Sequence, residues 1–191
     1  MRAMSQQMHD NPDPAWACAI GAALRPQRPG TQPWRVGLID GPNMSNLGVG
    51  GRDPRTYGLV TSLAALQESI IAMGQGLGLD IRAFSANHEG AVISHIYETA
   101  DGVDGFLINP AALTRFGIPT KIAFADVRRP FIELHFANVA ALGWEGGVTT
   151  PVATGVTMGF RHYGYMGALF GFACALDRSI LKSSLTKVSP S

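Results

Sequence analysis

Cysteine and charge are what this chain has least of. Cys18 and Cys174 are the only cysteines in 191 residues, and their spacing matches neither a disulfide framework nor a paired-cysteine zinc site. No metal is expected from them, and a reducing cytoplasm is the default compartment. Lys and Arg together number 15 and Asp and Glu 14, so charged residues make up 15% of the chain, against roughly 25% in an ordinary soluble domain. A formal charge of +1 with no basic block argues against sequence-independent nucleic-acid binding, which needs clustered cations to neutralise phosphates. Most of the cations are arginines, which suit fixed contacts better than a solvated basic tail. Long apolar runs are missing too: the stretch from Gly164 to Leu176 falls short of the roughly 20 residues a membrane span needs and reads as a core helix. A surface this poor in charge points to burial in a homo-oligomer, the alternative being a poorly charged monomer.

What is present describes a globular protein. Hydrophobic residues make up 46%, and 23 glycines and 12 prolines stay below the low-complexity range. The length suits one domain. Residues 1–33 stand apart in composition, with Asp10-Asn-Pro-Asp-Pro14 and Arg25-Pro-Gln-Arg-Pro-Gly30 around a short Ala-rich segment. Prolines at that density interrupt helix and ladder hydrogen bonding, so 1–33 is expected to be a proline-rich extension, a tail or an oligomer arm. It lacks the apolar core of a secretory signal. Residues 34–191 are the expected catalytic domain.

From Arg35 onward strands and helices alternate. Arg35 to Ile39 is a short apolar strand ending in Asp40-Gly-Pro-Asn43. After a long glycine-rich loop, Leu63, Leu66, Ile70 and Met73 recur at helical spacing. Leu79 to Ser85, Gly105 to Asn109 and Phe131 to Phe136 are further strands, with Val92, Ile93, Ile96 and Tyr97 on a helical face between the first two of these and a helix over Pro119 to Asp126 before the third. A small-residue segment, Val152 to Met158, precedes the closing helix. This alternation implies right-handed crossovers and a parallel sheet covered on both faces: an α/β, flavodoxin-like three-layer sandwich with a five-stranded parallel sheet.

Such folds place ligands beyond the carboxyl ends of the strands, which selects Asn43, Asn87-His88-Glu89, Asn109 and Glu133-x-His135-x-x-Asn138. Residues two apart on a strand share a face, so Glu133 and His135 can enter one cleft together. A histidine satisfied inside the core by a structural carboxylate is the alternative. The loop between Asn43 and Gly58 has the length of an active-site lid. Tyr57 in it can act as a base near neutral pH only if a cation holds the phenolate, and Arg52 or Arg55 could supply that cation. A tyrosine that merely anchors the loop is the competing reading. No GxGxxG or Walker pattern is present.

Six motifs occur in one order: Ile39-x-Gly-Pro-Asn43-x-x-Asn46-Leu-Gly48, Arg52-x-Pro54-x-x-Tyr57-Gly58, Ser85-x-Asn87-His88-Glu89-Gly90, Asp104-Gly-Phe-Leu-Ile-Asn109-Pro110, Glu133-x-His135-x-x-Asn138 and a late Gly-Tyr stretch. In this order they resemble the type II dehydroquinases, the 3-dehydroquinate dehydratases, over roughly Val36 to Asp177. The resemblance implies a flavodoxin-like, cofactor-free hydro-lyase built from trimers into a dodecamer, which dehydrates a small cyclic hydroxyketone through an enolate. It implies that Tyr57 is the base, with Arg52 lowering its pKa, and that His135 is the general acid, oriented by Glu133. Asn43 would hold a water at the enolate oxygen. Asn109 would bind substrate and help position His135; Asn138 and His88, from the strand ends, and Arg115, where this chain departs from the family, are the further candidate substrate contacts.

The chain also departs from that pattern. Asn109-Pro-Ala-Ala-Leu-Thr-Arg115 carries Arg115 where the family has a substrate-binding histidine. Ile122 stands near the place of an acidic residue that reaches a neighbouring subunit, Ala137 replaces a serine, and 139–147 contains no arginine. Arg115 could supply anion contacts from a new direction or lie in a subunit interface. Two substrates fit: 3-dehydroquinate or a close relative, and alternatively a less polar cyclic ketone or diketone hydrated or cleaved by the same apparatus.

Overall fold

The computed structural model describes residues 13–25, 32–49 and 62–178. Arg52, Arg55 and Tyr57 therefore lie outside the described residues, as do both ends of the chain. Strands β1 (Trp34–Asp40), β2 (Leu79–Ser85), β3 (Gly105–Asn109), β4 (Phe131–His135) and β5 (Gly155–Met158) form one sheet in the order β2-β1-β3-β4-β5. All neighbouring pairs are parallel. This is the doubly wound order of flavodoxin-like folds, whose switch point lies between β1 and β3. The expected fold class and all five strands are present, β5 within the segment read only as rich in small residues.

Alternation along the strands separates two cores. Val36, Leu38, Leu107 and Leu134 face one layer, where they meet Leu66, Ile70 and Met73 of α2 (Leu63–Leu77) and Leu169 and Phe172 of α5 (Tyr163–Asp177). Ile39, Phe106, Ile108 and Phe131 face the other, against Val92 and Ile96 of α3 (Glu89–Thr99) and Ala123 and Phe124 of α4 (Ile118–Val127). Local signals set the helix ends. Ser62 accepts from the Ala65 amide at the start of α2, and Gly78 closes that helix at φ 79°, a conformation glycine adopts without steric cost. Pro119 lies in the first turn of α4, where a missing N–H costs nothing. Among the described residues no helix is long and apolar enough to cross a membrane.

The expected extension needs correction at its centre. Residues Pro14–Leu24 form helix α1, whose Ala17 is buried in the first core. Proline does not block this helix because Pro14 occupies its first turn, and Asp13 caps it by accepting from the Trp16 amide at 2.8 Å. Glycines then let α1 and α2 approach backbone to backbone: a Cβ on Gly76 would fall on the Cys18 carbonyl oxygen and 2.7 Å from the Ala22 nitrogen. Gly76→Ala is accordingly expected to lower stability by about 1–3 kcal/mol, outweighing its helix-propensity gain, as measured by urea denaturation. At Gly171 in α5 an added Cβ meets nothing within 4 Å, so Gly171→Ala should instead stabilise by up to about 1 kcal/mol.

Candidate active site

The last residues of β4 carry the most developed polar cluster. Parity on the strand puts Glu133 and His135 on one face, and the two are joined at 2.6 Å between Oε1 and Nε2. Both are buried. The loop leading to β5 completes the cluster: Thr149 Oγ1 donates to Glu133 Oε2, and Thr150 Oγ1 donates to Oε1 at 2.8 Å. Gly147 lets that loop pass close by, since a Cβ there would lie 2.6 Å from Glu133 Oε1. Burial pushes the Glu133 carboxyl upward, but the hydrogen bonds from His135, Thr149 and Thr150 outweigh it and hold the group below the usual carboxylate range. An ionised Glu133 is acceptor-only. It therefore accepts a hydrogen bond from Nε2–H of His135, which leaves Nδ1 as the ring nitrogen available to the cavity that His135 lines.

That cavity, about 640 Å³ in volume, opens above the carboxyl ends of β1, β3 and β4. Its polar lining comes from Asn43, Asn46, Asn109, Thr114 and His135. Its apolar lining includes Ala112, Phe136, Ala137, Leu142 and Trp144, so the segment after His135 supplies shape and little charge. Asn43 has φ 74° at the head of the turn Met44–Asn46, a left-handed conformation that asparagine tolerates better than most residues. Its backbone N–H donates to Asn87 Oδ1 at 2.9 Å, tying the β1 loop to the end of β2. Asn109 is buried, and its Oδ1 accepts from the Ala111 amide at 3.1 Å. Ala111 itself sits at φ 49°, a strained backbone held beside the cavity.

Of the residues expected at the site, His135, Glu133, Asn43 and Asn109 converge here, Glu133 from behind the histidine. Arg115 is exposed, its guanidinium carbon 5.0 Å from the Trp144 ring centroid, which places it at the rim. Asn138 does not line the cavity: its Oδ1 is spent capping the turn Val139–Leu142, accepting from Ala140 at 3.1 Å and Ala141 at 3.4 Å. His88 is exposed at the start of α3 and also lies off the cavity wall. Nothing in the sequence singles out Thr149, Thr150 or Trp144, and Asn46 stands in it only as part of a motif, without a role. A Thr-Thr-Pro in a loop carries no sign that both hydroxyls turn onto a carboxylate 16 and 17 positions earlier.

Fold and site together define a doubly wound α/β protein with a buried carboxylate–imidazole pair at the floor of a strand-end cavity. The family description Dehydroquinase class II matches residues 34–173, and the chain belongs to this family. It is 37% identical over 139 residues to the 3-dehydroquinate dehydratases of Bacillus cereus (strain AH820) and Bacillus anthracis, covering 71% of this chain and 92% of theirs. Among solved structures it is similar to the type II dehydroquinase from Propionibacterium acnes, with TM-score 0.68, 30% identity and coverage of 76% of this chain and 99% of that one. A 3-dehydroquinate dehydratase-like protein from Bifidobacterium longum aligns with TM-score 0.54 and 25% identity, over 75% of this chain and 98% of that one.

Proposed function

We propose that this protein is a carbon–oxygen lyase that removes water from 3-dehydroquinate. The observation that carries this reading is the buried Glu133–His135 pair, held at 2.6 Å and facing a cavity at the sheet's strand ends. Kinship with proteins named 3-dehydroquinate dehydratase favours this substrate over a less polar ketone. Eliminating a β-hydroxyl from a ketone requires a base for the proton beside the carbonyl, dipoles where the enolate forms, and an acid at the departing oxygen. Tyr57 is assigned the first role, its phenolate supported by Arg52. Asn43 holds a water against the enolate oxygen. His135, doubly protonated against the ionised Glu133, delivers its Nδ1 proton to the hydroxyl as the carbon–oxygen bond breaks and keeps its Nε2 proton, so that water leaves and a conjugated enone remains.

Asn109 contacts the substrate, and Arg115 supplies an anion contact from the rim, where stacking on Trp144 limits its freedom. Arg115→Ala should therefore raise KM for 3-dehydroquinate about tenfold, the equivalent of one charge-assisted hydrogen bond, and change kcat less than threefold. We also place the protein in the cytoplasm as a homo-oligomer of trimers, assembling to a dodecamer. Phe116 at 76%, Ile118 at 58% and Ile122 at 54% exposure give it an apolar face near α4 suited to a second copy, and light scattering measures the assembly. Mixing the protein with 3-dehydroquinate and following enone absorbance in the ultraviolet tests the main reading. A signal lost in Tyr57→Phe and His135→Ala supports it, and no signal at high enzyme concentration overturns it.

A further inference from the structure

We propose that Asp40 and Tyr165 are positioning residues for Asn109, forming a buried chain that fixes which end of the Asn109 amide meets the ligand. Asp40 ends β1 and pairs in register with Asn109 at the end of β3, so the two straddle the switch point of the sheet. Tyr165, from α5, bridges them. Its hydroxyl donates to Asp40 Oδ1 at 2.7 Å and accepts from Asn109 Nδ2 at 2.9 Å. Gln67 Nε2, from α2, donates to Asp40 Oδ2 at 2.8 Å. Asp40, Tyr165 and Asn109 are all buried.

Donor and acceptor counting makes the chain directional. The Ala111 amide can only donate, so it requires Asn109 Oδ1. The Asn109 NH2 group then faces Tyr165, whose oxygen must accept, and the tyrosine proton goes to Asp40. Only an ionised carboxylate accepts from both Tyr165 and Gln67 without rearrangement. With the chain intact, Asn109 offers the cavity one N–H and one carbonyl lone pair in a set orientation. Protonating Asp40 puts a donor against Tyr165 or against Gln67 and breaks the chain at one link.

Among the described residues, the groups around Asp40 are Gln67 from α2, Tyr165 from α5, and its register partners Asn109 on β3 and Ser85 on β2; of these, Tyr165 alone is titratable. Burial raises the Asp40 carboxyl to about 6, with the Tyr165 and Gln67 hydrogen bonds pulling the other way. The chain is therefore intact above this value, and below it the protonated carboxyl offers one acceptor oxygen where Tyr165 and Gln67 use two.

The link to catalysis rests on the assignment of Asn109 as a substrate contact, so the test has a readout independent of turnover. In full-length protein labelled with 15N-asparagine, the Asn109 side-chain amide, assigned by its loss in Asn109→Ala, is followed from pH 8 to pH 5. It should shift with a midpoint near that of Asp40 and stay constant in Asp40→Asn, which does not titrate and whose carbonyl keeps the Tyr165 bond while Gln67 turns its own oxygen to the new NH2 group. An amide that does not titrate, or titrates identically in Asp40→Asn, overturns the proposal whether or not 3-dehydroquinate is turned over. With that substrate, Tyr165→Phe should raise KM about tenfold, one lost hydrogen bond, with kcat within threefold. Wild-type KM should rise towards pH 5, and that of Asp40→Asn should not. An unchanged KM in folded Tyr165→Phe overturns the role in substrate positioning, and if that variant fails to fold, the KM profile of Asp40→Asn decides. Absence of wild-type turnover would count against the proposed reaction alone.

Discussion

Replacing His135 by alanine is expected to lower kcat for 3-dehydroquinate by about two to four orders of magnitude, the usual worth of a positioned general acid, with a much smaller effect on KM. The asymmetry follows from what the ring touches. Its Nε2 is committed to Glu133 at 2.6 Å, so the ring's contribution to a bound ligand comes through Nδ1 and grows as the carbon–oxygen bond breaks. Interactions made in the transition state and not before affect kcat. Glu133→Gln should produce a loss of similar size through a different route. All three partners of the carboxylate, His135, Thr149 and Thr150, meet it as donors. A glutamine must turn its NH2 group towards one side. The threonine hydroxyls can rotate to accept, but a neutral amide cannot balance the charge of the doubly protonated ring that proton delivery from Nδ1 requires. Changing the carboxylate behind the catalytic histidine of a serine protease triad to an amide costs about 10⁴. Steady-state kinetics on both variants, with thermal melts to confirm folding, checks this. A kcat within tenfold of wild type in both would remove His135 from proton transfer.

The Glu133–His135 pair was legible in sequence because a strand has period two and the two polar residues stand in register on one otherwise apolar segment. The strands themselves were legible for the same reason: Val36 and Leu38 face one core and Ile39 the other. The partners that tune the site were not, since each arrives from a distant element. Tyr165 meets Asp40 across 125 positions, and nothing about a tyrosine in the apolar closing helix, or an aspartate ending an apolar strand, announces that contact. Proline density alone hides helix α1, because Pro14 sits in its first turn, where a helix tolerates one. The spacing of Asn138 from His135 suggests a site residue, but an asparagine opening a turn has a local use for its side chain, and here that use prevails.

Asp40→Asn is expected to make the protein more stable than wild type at neutral pH, and the advantage should disappear in acid. The folded-state pKa of Asp40 is raised from 3.8 to about 6 by burial. Below both values the carboxyl is protonated whether the chain is folded or not, and it contributes no pH dependence. Between them the folded protein holds a proton that the unfolded chain has released, so the unfolded state binds fewer protons and stability falls as pH rises. Above about 6 the loss is complete and amounts to about 3 kcal/mol, the pKa difference multiplied by the free energy per unit. Asparagine does not titrate, so the gap between the variant and wild type should open by about that amount between pH 4 and pH 7, whatever its offset at pH 4. Urea midpoints at several pH values measure it, and a constant gap would show that Asp40 is not the group titrating in this window. A carboxylate that destabilises the fold where it is ionised, placed at the sheet's switch point and joined through Tyr165 to a cavity-lining amide, is harder to explain as scaffold than as the acceptor that orients Asn109.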